Sequence, residues 1–280
     1  VDFTTSTPEI CFDDPAILNF NFIAGNPPFS IDYSINSTNQ TPLTINGSGN
    51  QQYTITPDPI VGLNSYDIIN ITDGNGCVGV PNPNNASILV NPTPDINITV
   101  SGTNPICQGQ DSELFFPVIS GTPPFNVNYL AGGSPLTTSV DGSGNQTSGN
   151  PMIISPTTTT TYTLTSVTDA KGCVNSLSND ATLTVNEIPN VIVSGDTEIC
   201  NQDQTPLFFT FTSGTAPWTV NYNVASAPGS VTLYNTNDTL VVDPNITTTY
   251  MFTGISDNNC SATINEDVTI TVNSLPQSVI

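Results

Sequence analysis

Residues 156–173 read PTTTTTYTLTSVTDAKGC. A proline and a threonine run lead into Tyr162, Leu164 and Val167, and Asp169, Gly172 and Cys173 close the stretch. The β-branched residues predict an extended strand, and the Asp-x-x-Gly-Cys end predicts a tight turn. The design occurs twice more, as SYDIINITDGNGC at 65–77 and PNITTTYMFTGISDNNC at 244–260. Tyrosine and cysteine stand 11, 11 and 10 residues apart, so one unit is used three times.

Each copy contains an odd step. Tyr162 and Leu164 share a strand face, but Val167 falls out of parity, as do Ile71 after Ile68 and Ile255 after Phe252. Strand side chains alternate with a period of two, so the step predicts a β-bulge near Asn70, Ser166 and Gly254.

Working outward, each copy also carries an alternating apolar strand: Leu18, Phe20, Phe22; Leu114, Phe116, Val118; and Leu207, Phe209, Phe211. A glycine follows, then a proline turn and an aromatic: GNPPFSIDY (25–33), GTPPFNVNY (121–129) and GTAPWTVNY (214–222). Alignment of Trp218 with Phe29 and Phe125 assigns it to core or turn plug. The middles, 36–52, 131–150 and 223–239, read as loops and short hairpins, with NGSGNQ (46–51) and DGSGNQ (141–146) as hairpin turns. Each copy closes on ILVN (88–91), LTVN (183–186) or ITVN (270–273) and passes through a short proline link expected to be stiff.

These features predict an all-β chain of three tandem Ig-like antiparallel β-sandwiches arranged end to end: 1–94, 95–189 and 190–276, with 277–280 as the start of a further repeat. No window carries a sustained helical period, and no apolar run is long enough for a spanning helix, so no membrane insertion is expected.

Composition narrows the function. The chain has 23 acids, one base (Lys171) and no histidine, for a formal charge of -22. Proteins grip phosphate backbones with lysine and arginine, so nucleic acid is excluded as a partner. The near-absence of basic residues also removes most trypsin-type cleavage sites. Without histidine or arginine, acid–base and nucleophile machinery is largely missing, and no acidic pair sits on a core-facing strand position in one copy only, as glycoside hydrolysis would require. No enzyme and no cofactor are expected.

Six cysteines, Cys11, Cys77, Cys107, Cys173, Cys200 and Cys260, are dispersed and lack C-x-x-C spacing, which favours disulfides over zinc. Pairing first with second in each copy gives separations of 66, 66 and 60, one expected bridge per module. Each would stabilise its module by about 4 kcal/mol. Disulfides place the chain in an oxidising, extracellular compartment. Asp73, Asp169 and Asp257 are the calcium candidates, with Asp13, Asp14 and Asp58 in addition. Calcium needs six or more oxygens, which a DGNG turn does not supply, so an Asx turn is the preferred reading.

The phrases GTPPFNVNY, PTTTTTY and VTDAKGC resemble the PKD-like, SprB-type repeats of large Bacteroidetes surface adhesins. The likeness covers all three copies. Ser65 before Tyr66, and the missing glycine in DNNC (257–260), depart from it. The resemblance implies cell-surface filaments, type IX secretion and a role in gliding and attachment, with no catalytic residue. The expected function is thus a structural stalk segment whose partners are neighbouring repeats of the same chain. The alternative is an array of carbohydrate-binding modules. Its variable loops and the outward Phe115 and Phe208 would then contact surface glycans or other filament chains.

Overall fold

The computed structural model describes residues 1–55, 60–148 and 150–277, and among these every regular element is a β-strand. The chain gathers into two compact units. One comprises Val1–Thr99, Phe115–Met152 and Tyr162–Ala181, the other Val100–Leu114, Ile153–Thr161 and Thr182–Ile280. The units do not follow the sequence repeats: the second repeat contributes to both.

The first repeat, wholly within one unit, shows the plan. Ala16–Phe22 lies between Asp2–Thr5 and Gly49–Ile55 in one antiparallel sheet. Phe29–Ile35, Gly62–Thr72 and Asn85–Asn91 form the centre of the other. The inner faces meet through Phe3, Leu18, Phe20, Phe22, Phe29, Ile31, Tyr66, Ile68 and Ile88, all buried. Burial of each such side chain contributes about 2–3 kcal/mol, which is what holds the sheets together. The third repeat packs alike, with Leu207 and Phe209 of one sheet against Val220, Tyr250, Phe252 and Ile270 of the other.

One strand per repeat runs parallel, against the all-antiparallel expectation. Glu9–Cys11 pairs parallel with Asn85–Asn91, Ile106–Cys107 with Val185–Asn186, and Thr197–Cys200 with Ser261–Asn273. The first strand leaves its antiparallel partner and crosses to the other sheet. Ser6, Thr7 and Pro8 make that crossing in the first repeat, and Gly195 and Asp196 in the third.

The bulge expected from broken parity is present in all three copies. Asp32 faces Asn70 but Tyr33 faces Ile68, so Ile69 is extra. Thr165 and Thr253 are extra in the same way, beside Asn128 and Asn221. The spare residue restores parity, so Tyr66, Ile68 and Ile71 are all buried while Ile69 is exposed.

The middles differ from expectation in part. Asn36-Ser37, Gly132-Gly133 and Ala225-Ser226 are two-residue hairpin turns with both residues at positive φ. Residues 46–48 are not a hairpin turn: Leu43–Ile45 pairs in one sheet and Gly49–Ile55 in the other, so the stretch carries the chain between sheets. Residues 141–146 do close a tight turn, with Asn145 carbonyl accepting from Asp141 N–H at 2.8 Å. Trp218 is buried and stacks on Phe211 at 4.0 Å, as Phe29 does on Phe22.

Candidate functional site: the cysteine-bearing ends of the repeats

The aspartate of each cysteine turn serves the backbone. One Asp73 carboxylate oxygen accepts from the N–H groups of Asn75 (3.0 Å) and Cys77 (2.9 Å), and the other from Asn26 (3.2 Å). Asp169 accepts from Lys171, Cys173 and Thr122 at 2.9, 3.0 and 3.0 Å. Asp257 accepts from Asn259, Cys260 and Thr215 at 2.8, 2.7 and 2.9 Å. Each carboxylate therefore binds its own turn to the turn that follows Gly25, Gly121 or Gly214. Charge-assisted hydrogen bonds to three backbone N–H groups account for an aspartate at each position. Asp13 occupies a turn at φ 68°, and Asp58 lies outside the described residues. No group of three or more His, Cys, Asp or Glu that could hold a metal ion is found among the described residues.

The N–H donors of Cys77, Asn26 and Asn75 hold the Asp73 carboxyl below the ordinary carboxylate range. Burial works to raise Asp257, but the donors of Cys260, Thr215 and Asn259 outweigh it and the net shift is downward. Lys171 lowers Glu9, with Asn91 adding to the effect.

The cysteines correct the expected pairing. Cys11 bonds Cys173, with Cα atoms 5.5 Å apart, and Cys107 bonds Cys260 at 5.8 Å. Cys77 and Cys200 are free and exposed. Each bridge joins the first cysteine of one repeat to the second cysteine of the next. The physical reason is strand length. Cys11 lies beside Asn91, whose neighbour Val90 faces Gly62, the start of the tyrosine strand. Cys77 lies beyond Thr72, where that strand ends. The ten steps along this eleven-residue strand, at about 3.3 Å each, put the two cysteines on the order of 33 Å apart, whereas a disulfide needs Cα atoms within about 7 Å. In the third repeat Cys200 faces Asn273 and Cys260 follows Ser256, again at opposite ends of Thr248–Ser256.

The trailing end of one repeat and the leading end of the next are held by the short links. Thr93 carbonyl accepts from the Ser120 hydroxyl at 2.7 Å, and Pro94 carbonyl from the Asn175 amide at 3.0 Å. Ile188 carbonyl accepts from the Ser213 hydroxyl at 2.6 Å. A Cβ on Gly121 would approach Pro94 Cα to 2.9 Å, and one on Gly214 would approach Pro189 Cα to 2.8 Å, so glycine is required where each link presses on the next repeat. Beside the first bridge, Lys171 Nζ meets Glu9 Oε1 at 2.7 Å, and Asn91 donates to the same carboxylate at 3.0 Å.

The residues proposed for surface contact are less distinctive. Phe208 is 49% exposed, whereas Phe115 is half-buried, its ring close to Gly144 in the 141–146 turn.

No family model matches the chain. It is 29% identical over 238 residues to Nucleoporin POM152 of Saccharomyces cerevisiae, which spans 76% of the chain and 17% of that protein. Among solved structures, the eight N-terminal Ig domains of Down Syndrome Cell Adhesion Molecule align with 98% of the chain and 37% of theirs, at 15% identity and a TM-score of 0.40. The fibronectin(III)-like modules of Clostridium thermocellum CbhA align with 66% of the chain and 94% of theirs, at 10% identity and a TM-score of 0.32. Two disulfides are consistent with an extracytoplasmic location.

Proposed function

We propose that the chain is a structural, non-catalytic segment of a cell-surface array of PKD-like, SprB-type repeats, and that it holds a distal adhesive region away from the cell in gliding or attachment. The observation that carries this reading is the pair of disulfides, each of which joins consecutive repeats. A bridge inside one sandwich stabilises that sandwich; a bridge between sandwiches keeps a tandem array connected when a link or a repeat gives way. Partners are then the neighbouring repeats, with other filament chains or surface glycans at the far end. Cell-surface localisation and absence of a cofactor belong to the same reading.

Single-molecule pulling from residue 1 to residue 280 tests it. With both bridges closed, only residues 1–11, 107–173 and 260–280 can be drawn out, roughly 340 Å at about 3.4 Å per residue. After reduction the same molecule reaches roughly 950 Å. Equal maximum extension in the two states contradicts a mechanical role for the bridges.

The similarity to a nucleoporin favours a second reading, in which the same bridged array is a scaffold segment of a larger assembly. Antibody labelling of intact, unpermeabilised cells separates the two: the adhesin reading requires label on the surface.

A further inference from the structure

Cys77 and Cys200 occupy the two positions that are bonded elsewhere in the chain. Cys200 ends the parallel strand Thr197–Cys200 opposite Asn273, as Cys11 ends Glu9–Cys11 opposite Asn91. Cys77 closes an aspartate turn, as Cys173 and Cys260 do. The difference lies in cover. Cys173 is 1% exposed and Cys260 5%, whereas Cys77 and Cys200 are open to solvent.

A second observation is independent of the thiols. At the first junction, Glu9 accepts from Asn91 and pairs with Lys171 of the arriving turn. Glu198, two residues before Cys200 as Glu9 is before Cys11, accepts from Asn273 at 3.4 Å. The face around Cys200 therefore repeats the Glu9, Asn91 and Cys11 set, including a carboxylate placed to meet a cation on a docking turn.

We propose that Cys77 and Cys200 are complementary linkage thiols. Cys200 takes the aspartate-turn cysteine of another repeat, Cys77 takes the strand-end cysteine of another repeat, and a second copy of this chain joins head to tail through Cys200 and Cys77. The inference rests on the bridge pattern and holds for an adhesin or a scaffold alike. The chemistry is thiol–disulfide exchange with a small-molecule disulfide as oxidant. Glutathione disulfide reacts with the Cys200 thiolate to give a mixed disulfide and one glutathione thiolate. The Cys77 thiolate of a second copy attacks the Cys200 sulfur, and the second glutathione thiolate leaves. Two protein thiols thus become one disulfide while one glutathione disulfide becomes two thiols.

The test uses the full 280-residue chain in a glutathione redox buffer, read on non-reducing gels and by mass spectrometry. The unmodified chain gives a ladder of linked copies. Cys77→Ser alone and Cys200→Ser alone stay monomeric, and their mixture gives dimers only, with a peptide linking Cys77 to Cys200. Asn75 stands where Lys171 stands in the second turn, so Asn75→Lys on the Cys77 partner speeds dimer formation about threefold at low salt and not at high salt. Dimers from either single variant alone, an intramolecular bond between Cys77 and Cys200, or no dimers from a mixture in which both thiols react with a thiol reagent would overturn the proposal.

Discussion

Cys11 and Cys173 are bonded across 162 residues, although Cys77 stands much nearer to Cys11 in the chain. Two cysteines at opposite ends of a sandwich cannot meet within it. They meet across a junction, because a four-residue link places the trailing end of one repeat against the leading end of the next. The same relation gives Cys107–Cys260, across 153 residues. Junctions, rather than sandwich interiors, are where this chain places its covalent chemistry.

The aspartate turns carry the first prediction. Asp169 is buried and accepts three backbone N–H groups, including that of the bonded Cys173. Asp169→Ala leaves those donors without a partner and costs about 3 kcal/mol. Thermal or denaturant unfolding of the oxidised chain reads this. Loss below about 0.5 kcal/mol would mean that water replaces the carboxylate.

Acid is the second. Asp73, Asp257 and Glu9 all have lowered pKa values when folded. A lowered folded value means that the contribution to stability is complete above the unfolded carboxylate pKa, near 4, and is lost as pH falls through the folded values below it. The melting temperature should hold between about pH 7 and 5 and fall below about pH 4. The measurement belongs in about 0.5 M salt, which screens the self-repulsion of a chain with net charge -22. A melting temperature unchanged below pH 4 would contradict the hydrogen-bonded turns.

The third concerns hairpin turns. Ala225 and Ser226 sit at φ 47° and 74°, where the second repeat uses Gly132-Gly133. Side chains other than glycine and asparagine resist this left-handed region. Ala225→Asn combined with Ser226→Gly should therefore stabilise the third repeat by about 1 kcal/mol, read as a higher unfolding midpoint.

A fourth follows from the bulge. In the second repeat the Asn128 amide donates to the Ser166 hydroxyl at 2.9 Å. The third repeat has Gly254 at that place, and a Cβ added there meets nothing nearer than 3.5 Å, with the Asn221 amide nitrogen at 3.7 Å. Gly254→Ser should fit, recreate the hydrogen bond and stabilise by about 0.5–1 kcal/mol. Destabilisation would show that the bulge needs glycine.

Much of this architecture was legible in the residues. Leu18, Phe20 and Phe22 announced a one-faced strand by period, and Tyr162, Leu164 and Val167 announced a bulge by breaking it. Both are local, and local patterns map directly onto strand faces. The bridge partners were not local. Separations of 66, 66 and 60 were equally compatible with pairing inside or between copies, and regular spacing suggested the wrong choice. The deciding signal was present but indirect. The tyrosine strand runs straight into the second cysteine, and an antiparallel closing strand must finish at the far end, beside the first. The parallel strand that carries Cys11 and Cys200 was also hidden, since short parallel and antiparallel strands have the same alternation. The turn at 46–48 was misread because a Gly-rich stretch marks a change of direction, not which sheet receives the chain.

Disulfide mapping bears most directly on the central claim, that repeats are bonded to their neighbours. One lysine makes trypsin of little use, so an acid protease should digest the non-reduced chain with free thiols blocked. The predicted linked peptides contain Cys11 with Cys173 and Cys107 with Cys260. Peptides that link Cys11 with Cys77, Cys107 with Cys173 and Cys200 with Cys260 would contradict the account.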